Sequence, residues 1–341
     1  MKLLVLGGTR FLGRHLVDSA LAAGHEVTIF TRGREPTHWG DAVTRLVGNR
    51  DPDIAPGLDA LEVGEWDGVV DTSGYVPRHI RAAAALLEDR VAHYLFVSSL
   101  SVYADASRAD QNESAALAPL ADPASENIAA DYGALKAACE REVQSVFGER
   151  ALIVRPGLIV GPHDPTDRFA YWVARFLRPE LLGDRESRAV VPAPASRPIQ
   201  FIDARDLAGW MLDLALARIP GAFNACSPPR RWTMGALIDA LVSRARAGGS
   251  AVLPKWIDES ALAAAGVEPW TELPLWIPQS DAATAGFMEF SCAKAQAQGL
   301  QFRPLEATLD DVTAWLATRD NDAAWVRTLS AAKERQLLLS A

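Results

Sequence analysis

The sequence predicts an α/β fold built on a doubly wound parallel sheet, and three observations carry that prediction. A short apolar run at the start, Leu3–Leu6, passes through glycines directly into a helical pattern. Four further runs, Val27–Thr31, Thr44–Val47, Gly68–Asp71 and Tyr94–Ser98, alternate with helix-like stretches. Several of these runs are nearly continuous in apolar residues, as expected when helices cover both faces of a parallel sheet. The combination is a Rossmann-type sheet, with a smaller lobe built from the less regular second half.

The helices follow from periodicity. Phe11–Ala23 places Leu12, Leu16, Ala20 and Ala23 three to four residues apart, on one helical face. Arg78–Asp89 is rich in Ala and Leu, and Asp131–Phe147 is a second long helical segment. After about Pro156 the chain becomes irregular, with Gly161-Pro162-His163-Asp164-Pro165 and then Trp256, Trp270 and Trp276 among prolines. Those tryptophans are expected to pack within the lobe rather than to stack on a ligand. Phe201–Ala217 reads as a strand then a helix, a return to the sheet, and a final helix is predicted near Ala307–Thr318 after Pro304. The tail is amphipathic and is expected to pack on the body or on a partner.

Composition removes several function classes. With 43 Asp and Glu against 34 Lys and Arg the net charge is −9, which argues against nucleic acid as the partner, since such binding needs a basic face. No apolar stretch reaches the roughly 20 residues of a membrane span. The opening apolar run is too short for a signal-peptide core, so a cytoplasmic location is expected. Cys139, Cys226 and Cys292 are odd in number and contain no CxxC pair, so reduced thiols are expected rather than disulfides. The histidines show no metal-ligand spacing, and no metal is expected.

The glycine turn, Gly7-Gly8-Thr9-Arg10-Phe11-Leu12-Gly13, stands between the first strand and the first helix. Small residues there permit close backbone approach to a pyrophosphate, and the helix N-terminus supplies N–H groups and partial positive charge. Gly7, Thr9, Arg10, Phe11 and Leu12 are therefore cofactor-binding candidates. The second strand ends Thr31-Arg32-Gly33-Arg34, without the acidic residue that usually binds a ribose 2′-hydroxyl. Arg32, with Arg10 and Arg34, is suited to a 2′-phosphate instead, which favours NADP(H) over NAD(H). Asn49, in Asn49-Arg50-Asp51 after the third strand, is placed near the adenine. On this basis residues 1–160 are expected to form a dinucleotide-binding domain with returns near 199–224. Residues 161–320 are expected to form mainly the substrate lobe, and 321–341 the C-terminal helix or tail.

Tyr132-Gly133-Ala134-Leu135-Lys136 sets a phenol and an ammonium one helical turn apart. A free phenol has a pKa of about 10, and a neighbouring cation lowers it. Tyr132 then acts as general acid in carbonyl reduction or general base in alcohol oxidation, while Lys136 also holds the nicotinamide ribose. Tyr-x-x-x-Lys alone is a common helix face. A second element supports it: Ser98-Ser99-Leu100-Ser101 follows the fifth strand, where ligands of such sheets bind. Ser99 is the candidate to orient a substrate oxygen, with Ser101 as the alternative. His163, Arg168 and Trp172 are the candidates to line the substrate pocket.

In combination, Gly7–Gly13, Asp71-Thr72-Ser73-Gly74, Ser98–Tyr103, Tyr132–Lys136 and Arg155–Pro162 resemble the extended short-chain dehydrogenase/reductase family, in an atypical branch. That family contains sugar-nucleotide epimerases and dehydratases. The resemblance implies a Ser99–Tyr132–Lys136 catalytic triad, a cofactor passing beside Thr72, Ser73, Gly74 and Ser98, and Pro156 to Ile159 flanking the nicotinamide. It also implies a homodimer formed through Arg78–Asp89 and Asp131–Phe147. Arg10 stands where the familiar fingerprint has glycine, and Ala104 replaces another glycine. Arg197–Asp206 only loosely matches the segment that binds a nucleotide diphosphate in relatives. The expected function is an NAD(P)-dependent oxidoreductase acting on a small carbonyl or alcohol substrate. The alternatives are a sugar-nucleotide epimerase or dehydratase with transient internal hydride transfer, and a non-catalytic dinucleotide-binding sensor or RNA-associated protein.

Overall fold

In the computed structural model, which describes residues 1–183, 185–250, 252–320 and 323–340, the first half runs β1 (Lys2–Leu6), α1 (Phe11–Ala22), β2 (Glu26–Thr31), β3 (Val43–Val47), β4 (Gly68–Asp71), α2 (Pro77–Leu87), β5 (Tyr94–Val97), α3 (Ile128–Phe147) and β6 (Ala151–Pro156). The second half continues with β7 (Leu158–Val160), α4 (Ala170–Leu177), β8 (Arg188–Pro192), β9 (Pro198–Ile199), β10 (Phe201–Asp203), α5 (Ala204–Leu216) and β11 (Gly221–Ala225). It closes with β12 (Trp232–Thr233), α6 (Met234–Ala247), β13 (Leu253–Ile257), α7 (Glu259–Ala264), α8 (Ala293–Ala297), α9 (Leu305–Leu316) and α10 (Ala331–Ser340).

Seven parallel strands form the central sheet in the order β11-β6-β5-β4-β1-β2-β3. The order reverses between β1 and β4, and a crevice opens at their carboxyl ends, as the topology of such sheets requires. The expected strands hold to within a residue. The sequence reading had not singled out β6 or β11. The weakly β-branched Gly221-Ala222-Phe223-Asn224-Ala225 becomes a strand because it pairs with β6 at the sheet edge.

One face of the sheet is covered by α1 and α5, whose Leu16, Val17, Leu207 and Met211 pack on Val5, Ile29 and Val154. The other is covered by α2 and α3, through Ile80, Leu87, Val143 and Phe147. The chain thus returns to the sheet through α5 and β11. The lobe has its own core, in which Trp172, Phe176, Leu237, Trp276 and Leu309 are buried together. Each such large side chain contributes roughly 1.5–3 kcal/mol on burial.

The tail packs on this body: Leu337 of α10 joins the lobe core, and Glu334 pairs with Arg175 of α4 at 2.9 Å and with Arg185 at 3.1 Å. Asn321, Asp322 and Ala341, part of the expected tail, lie outside the described residues. The three cysteines are free and buried. Among the described residues no helix is long and apolar enough to cross a membrane.

Candidate active site

A cleft of about 1030 Å³ lies over the carboxyl ends of β1, β2, β4 and β5. Its inner wall is the turn between β1 and α1. Gly7 adopts φ +109°, and a Cβ there would stand 2.4 Å from Thr72 Oγ1, so the turn closes on β4 only with glycine. The amide and hydroxyl of Thr72 and the hydroxyl of Ser73 all donate to the Leu6 carbonyl, at 3.0–3.1 Å. No side chain caps α1, and no acidic residue occupies its first turn. Its N-terminal N–H groups therefore remain available to an anion in the cleft. These features fit the diphosphate of a dinucleotide. Gly7, Thr9, Arg10, Phe11, Leu12, Arg32, Asn49, Thr72, Ser73, Ser98, Pro156 and Ile159 all line the cleft.

Gly74 is a correction. It does not line the cleft but is packed beneath it, where a Cβ would stand 2.3 Å from Ile80 Cδ1. At the end of β2, Arg32 and Arg34 are exposed along the cleft, but so is a carboxylate that the strand-end reading did not include. Glu35 turns back into the site and forms an ion pair with Arg10.

The chemistry-bearing stripe belongs to α3. Tyr132, Lys136 and Glu140 recur every fourth residue and so project from one face, each a turn deeper than the last. Gly133 sets the depth: its Cβ position lies 2.0 Å from the Ser101 carbonyl oxygen, so any larger residue would lift α3 off the Leu100–Val102 turn. That contact sets Tyr132 on the cleft wall with Ser99, whose hydroxyl acts on the Tyr132 phenol. Ser99 Oγ also accepts from the Ser101 amide at 3.1 Å, fixing its position. Ser99, Ser101, Tyr132 and Lys136 all line the cleft.

The expected electrostatics of the pair are corrected. Lys136 Nζ donates to the Gly74 and Val97 carbonyls, each at 2.7 Å, and lies over the Tyr75 and Phe96 rings at 4.7 and 4.6 Å. Its ammonium stitches β4 to β5 and does not set the Tyr132 phenol. Burial instead pushes the Tyr132 pKa above its ordinary 10, opposed by the Ser99 hydroxyl and the Arg168 cation.

Burial also brings the Lys136 ammonium down from 10.5 to about 8. Between those values the unfolded chain binds the extra proton, so the contribution of Lys136 to stability rises with pH. The unfolding free energy of the native chain relative to Lys136→Met is expected to increase by about 2 kcal/mol between roughly pH 7.5 and 9.5. Denaturant titrations of both proteins across that range check this, and a flat difference contradicts it.

Deeper still, Glu140 forms a bidentate pair with Arg155 of β6, at 2.9 and 2.7 Å. Arg155 also donates to Tyr103 Oη at 3.0 Å, and Tyr103 donates to Asn224 of β11 at 2.6 Å. This buried chain ties α3 to the two strands behind it.

Of the substrate candidates, Arg168 lines the cleft. Trp172 does not reach it: the ring is fully buried in the lobe core, and Nε1 donates to the Pro274 carbonyl at 3.0 Å. His163 is also displaced. Its φ of +68° turns the ring into an adjoining cavity of about 340 Å³, against His15 and Trp315. The same turn leaves Asp164 on the wall of both cavities. Burial raises the Asp164 carboxyl to about 6, against two hydrogen bonds from Thr166.

Phe287 and Met288, which nothing in the sequence marked, line the cleft, and so does Trp270, which was expected to pack within the lobe. The loops that carry them lie more than a hundred residues from the glycine turn and have no periodicity. The sequence reading also missed Arg50, which pairs with the buried Asp71 at 2.6 Å across the site floor. That contact joins the ends of strands not adjacent in the sheet.

Comparison with known proteins adds the following. The model of the NAD dependent epimerase/dehydratase family matches residues 3–226. Among solved structures, an epimerase candidate from Burkholderia cenocepacia J2315 superposes with a TM-score of 0.67 at 22% identity, over 93% of this chain and 98% of that one. The UDP-N-acetylglucosamine 4-epimerase from Bacillus cereus gives 0.62 at 17% identity, over 94% of this chain and 100% of that one. At such identities the likeness is one of fold. A chloroplast stem-loop binding protein of 41 kDa from Arabidopsis thaliana is 29% identical over 116 residues, so the match spans only 30% of each chain.

Proposed function

The chain belongs to the NAD-dependent epimerase/dehydratase family, and from that premise we propose that it is an oxidoreductase, a bound nicotinamide supplying or accepting hydride at a carbonyl or carbinol carbon. The observation that carries this reading is the Ser99–Tyr132 pair facing into the same cleft as the glycine turn. Ser99 orients the substrate oxygen. Tyr132 donates its proton to that oxygen in reduction and removes it in oxidation. Lys136 holds the floor in register from below, leaving its third N–H for a ribose hydroxyl.

The family also holds enzymes that return the hydride to the same substrate, and the family match favours that as the second reading. Net consumption of the reduced cofactor with a panel of aldehydes and ketones separates the two. A redox enzyme oxidises cofactor in proportion to product. An epimerase or dehydratase shows none and retains its dinucleotide through purification. An RNA-associated role gains no support from the net charge of −9.

As to the dinucleotide, NADP(H) is proposed, because Arg32 and Arg34 flank the cleft while Glu35, the carboxylate that follows them, is neutralised by Arg10. Arg32→Glu is expected to weaken NADPH binding about tenfold or more while leaving NADH within about threefold. Fluorescence titration of both cofactors measures the ratio, and equal losses for the two overturn the assignment.

A further inference from the structure

We propose that Arg168 anchors the substrate by an anionic oxygen, and that the outer half of the cleft takes an apolar carbonyl compound carrying a carboxylate. The proposal rests on the oxidoreductase reading above and deepens it.

Arg168 sits on the loop between β7 and α4 and shares the cleft with Ser99 and Tyr132. Its Nε is buried and has no hydrogen-bond partner, and among the described residues no carboxylate pairs with its guanidinium. An Arg so placed is a cost unless something completes it. The surrounding charge does not: Arg327 is a second cation acting on Arg168, and its effect outweighs that of the opposing Asp164 carboxylate.

The guanidinium is nonetheless held in place, 5.1 Å from the centre of the Trp270 ring. Trp270 itself adopts φ +63°, a left-handed conformation that is strained for a bulky residue. Its amide donates to the Trp276 carbonyl at 3.0 Å, and its ring meets the Phe287 ring edge-on at 5.8 Å. The strain thus maintains an aromatic shelf with a cation on it. Leu100, Phe287 and Met288 add apolar surface to the wall, which also carries Ser101, Asp164, Thr166 and Gln200.

A diphosphate suits this half of the cleft poorly. It would need several cations on the wall itself; Arg327, which acts on Arg168, does not line the cleft, and Arg197, in the segment where a cation is expected, is turned inward. Arg197 donates to the Ile277 and Ala193 carbonyls at 2.6 and 2.7 Å and pairs with Glu259. One unpartnered guanidinium above an aromatic shelf matches one carboxylate on an apolar or aromatic frame.

Calorimetric titration of the full chain tests this with three probes: phenylpyruvate, the neutral ketone phenylacetone, and UDP-glucose. The native chain is expected to bind the keto acid at least about tenfold more tightly than the neutral ketone. Arg168→Gln should erase that preference, and Arg168→Lys should restore part of it. Dinucleotide affinity should not change in either variant, and neither should unfold at a lower temperature than the native chain. Equal affinity for acid and ketone, no binding of the acid, an unchanged preference in Arg168→Gln, or tighter binding of UDP-glucose than of the acid overturns the proposal. Because the readout is binding, a native chain that selects the keto acid but never consumes cofactor leaves the anchor standing and removes the oxidoreductase reading. Cofactor consumption with acid and neutral ketone at equal affinity does the reverse.

Discussion

Tyr132→Phe is expected to reduce turnover by roughly 10²–10⁴-fold, the usual contribution of a positioned general acid or base, while cofactor affinity stays within about twofold. The substitution removes one oxygen from a ring that keeps its contacts with Tyr75, so folding should be unaffected. The environment of the phenol gives this prediction a direction. Burial holds its pKa above 10, so it is protonated throughout the neutral range. Reduction, which needs the phenol, should therefore proceed with little pH dependence near neutrality. Oxidation, which needs the phenolate, should accelerate as pH rises from roughly 7 to 10. Steady-state rates in both directions, for the native chain and the variant, check both statements. A variant with native turnover removes Tyr132 from the chemistry.

The second large effect is structural. Arg155→Met leaves Glu140 buried and uncompensated beneath the site, since both partners are almost wholly enclosed, at 4% and 0% exposure. Breaking a buried pair on one side costs about 3–5 kcal/mol. For a chain of this size that lowers the thermal midpoint by roughly 4–7 °C. The double variant Glu140→Leu/Arg155→Met is expected to regain much of the loss, because no lone charge remains. Scanning calorimetry of the three variants decides it. If the double variant is no better than Arg155→Met, the cost lies in lost packing rather than in the stranded carboxylate.

These two predictions mark where the sequence was legible. The glycine turn could be read because strand, turn and helix are contiguous, and a phosphate cradle needs only local backbone. Tyr132 and Ser99 could be read because one opens a long helix and the other follows a strand on the same edge of the sheet. The role of Lys136 could not: spacing places its Cα one turn from Tyr132, but the direction of its ammonium depends on carbonyls of β5 and the β4 turn. Glu140 continues the same four-residue stripe, yet its partner Arg155 becomes visible only once β6 is seen to lie behind α3. Trp172 misled because one tryptophan in a loop-rich lobe reads the same whether it faces a cleft or a core. Trp270 does face the cleft, through a backbone conformation that no residue preference announces.

The final helix closes the molecule in a way that bears on how the protein is handled. The Glu334 carboxylate meets Arg175, Arg185 and the Val190 amide at once, like a latch engaging three slots. A polypeptide cut short before α10 would carry two guanidinium groups in a dry interior with no counter-ion. Its lobe should loosen before its nucleotide sheet does, and trimming by a carboxypeptidase should blunt substrate selectivity while sparing cofactor capture.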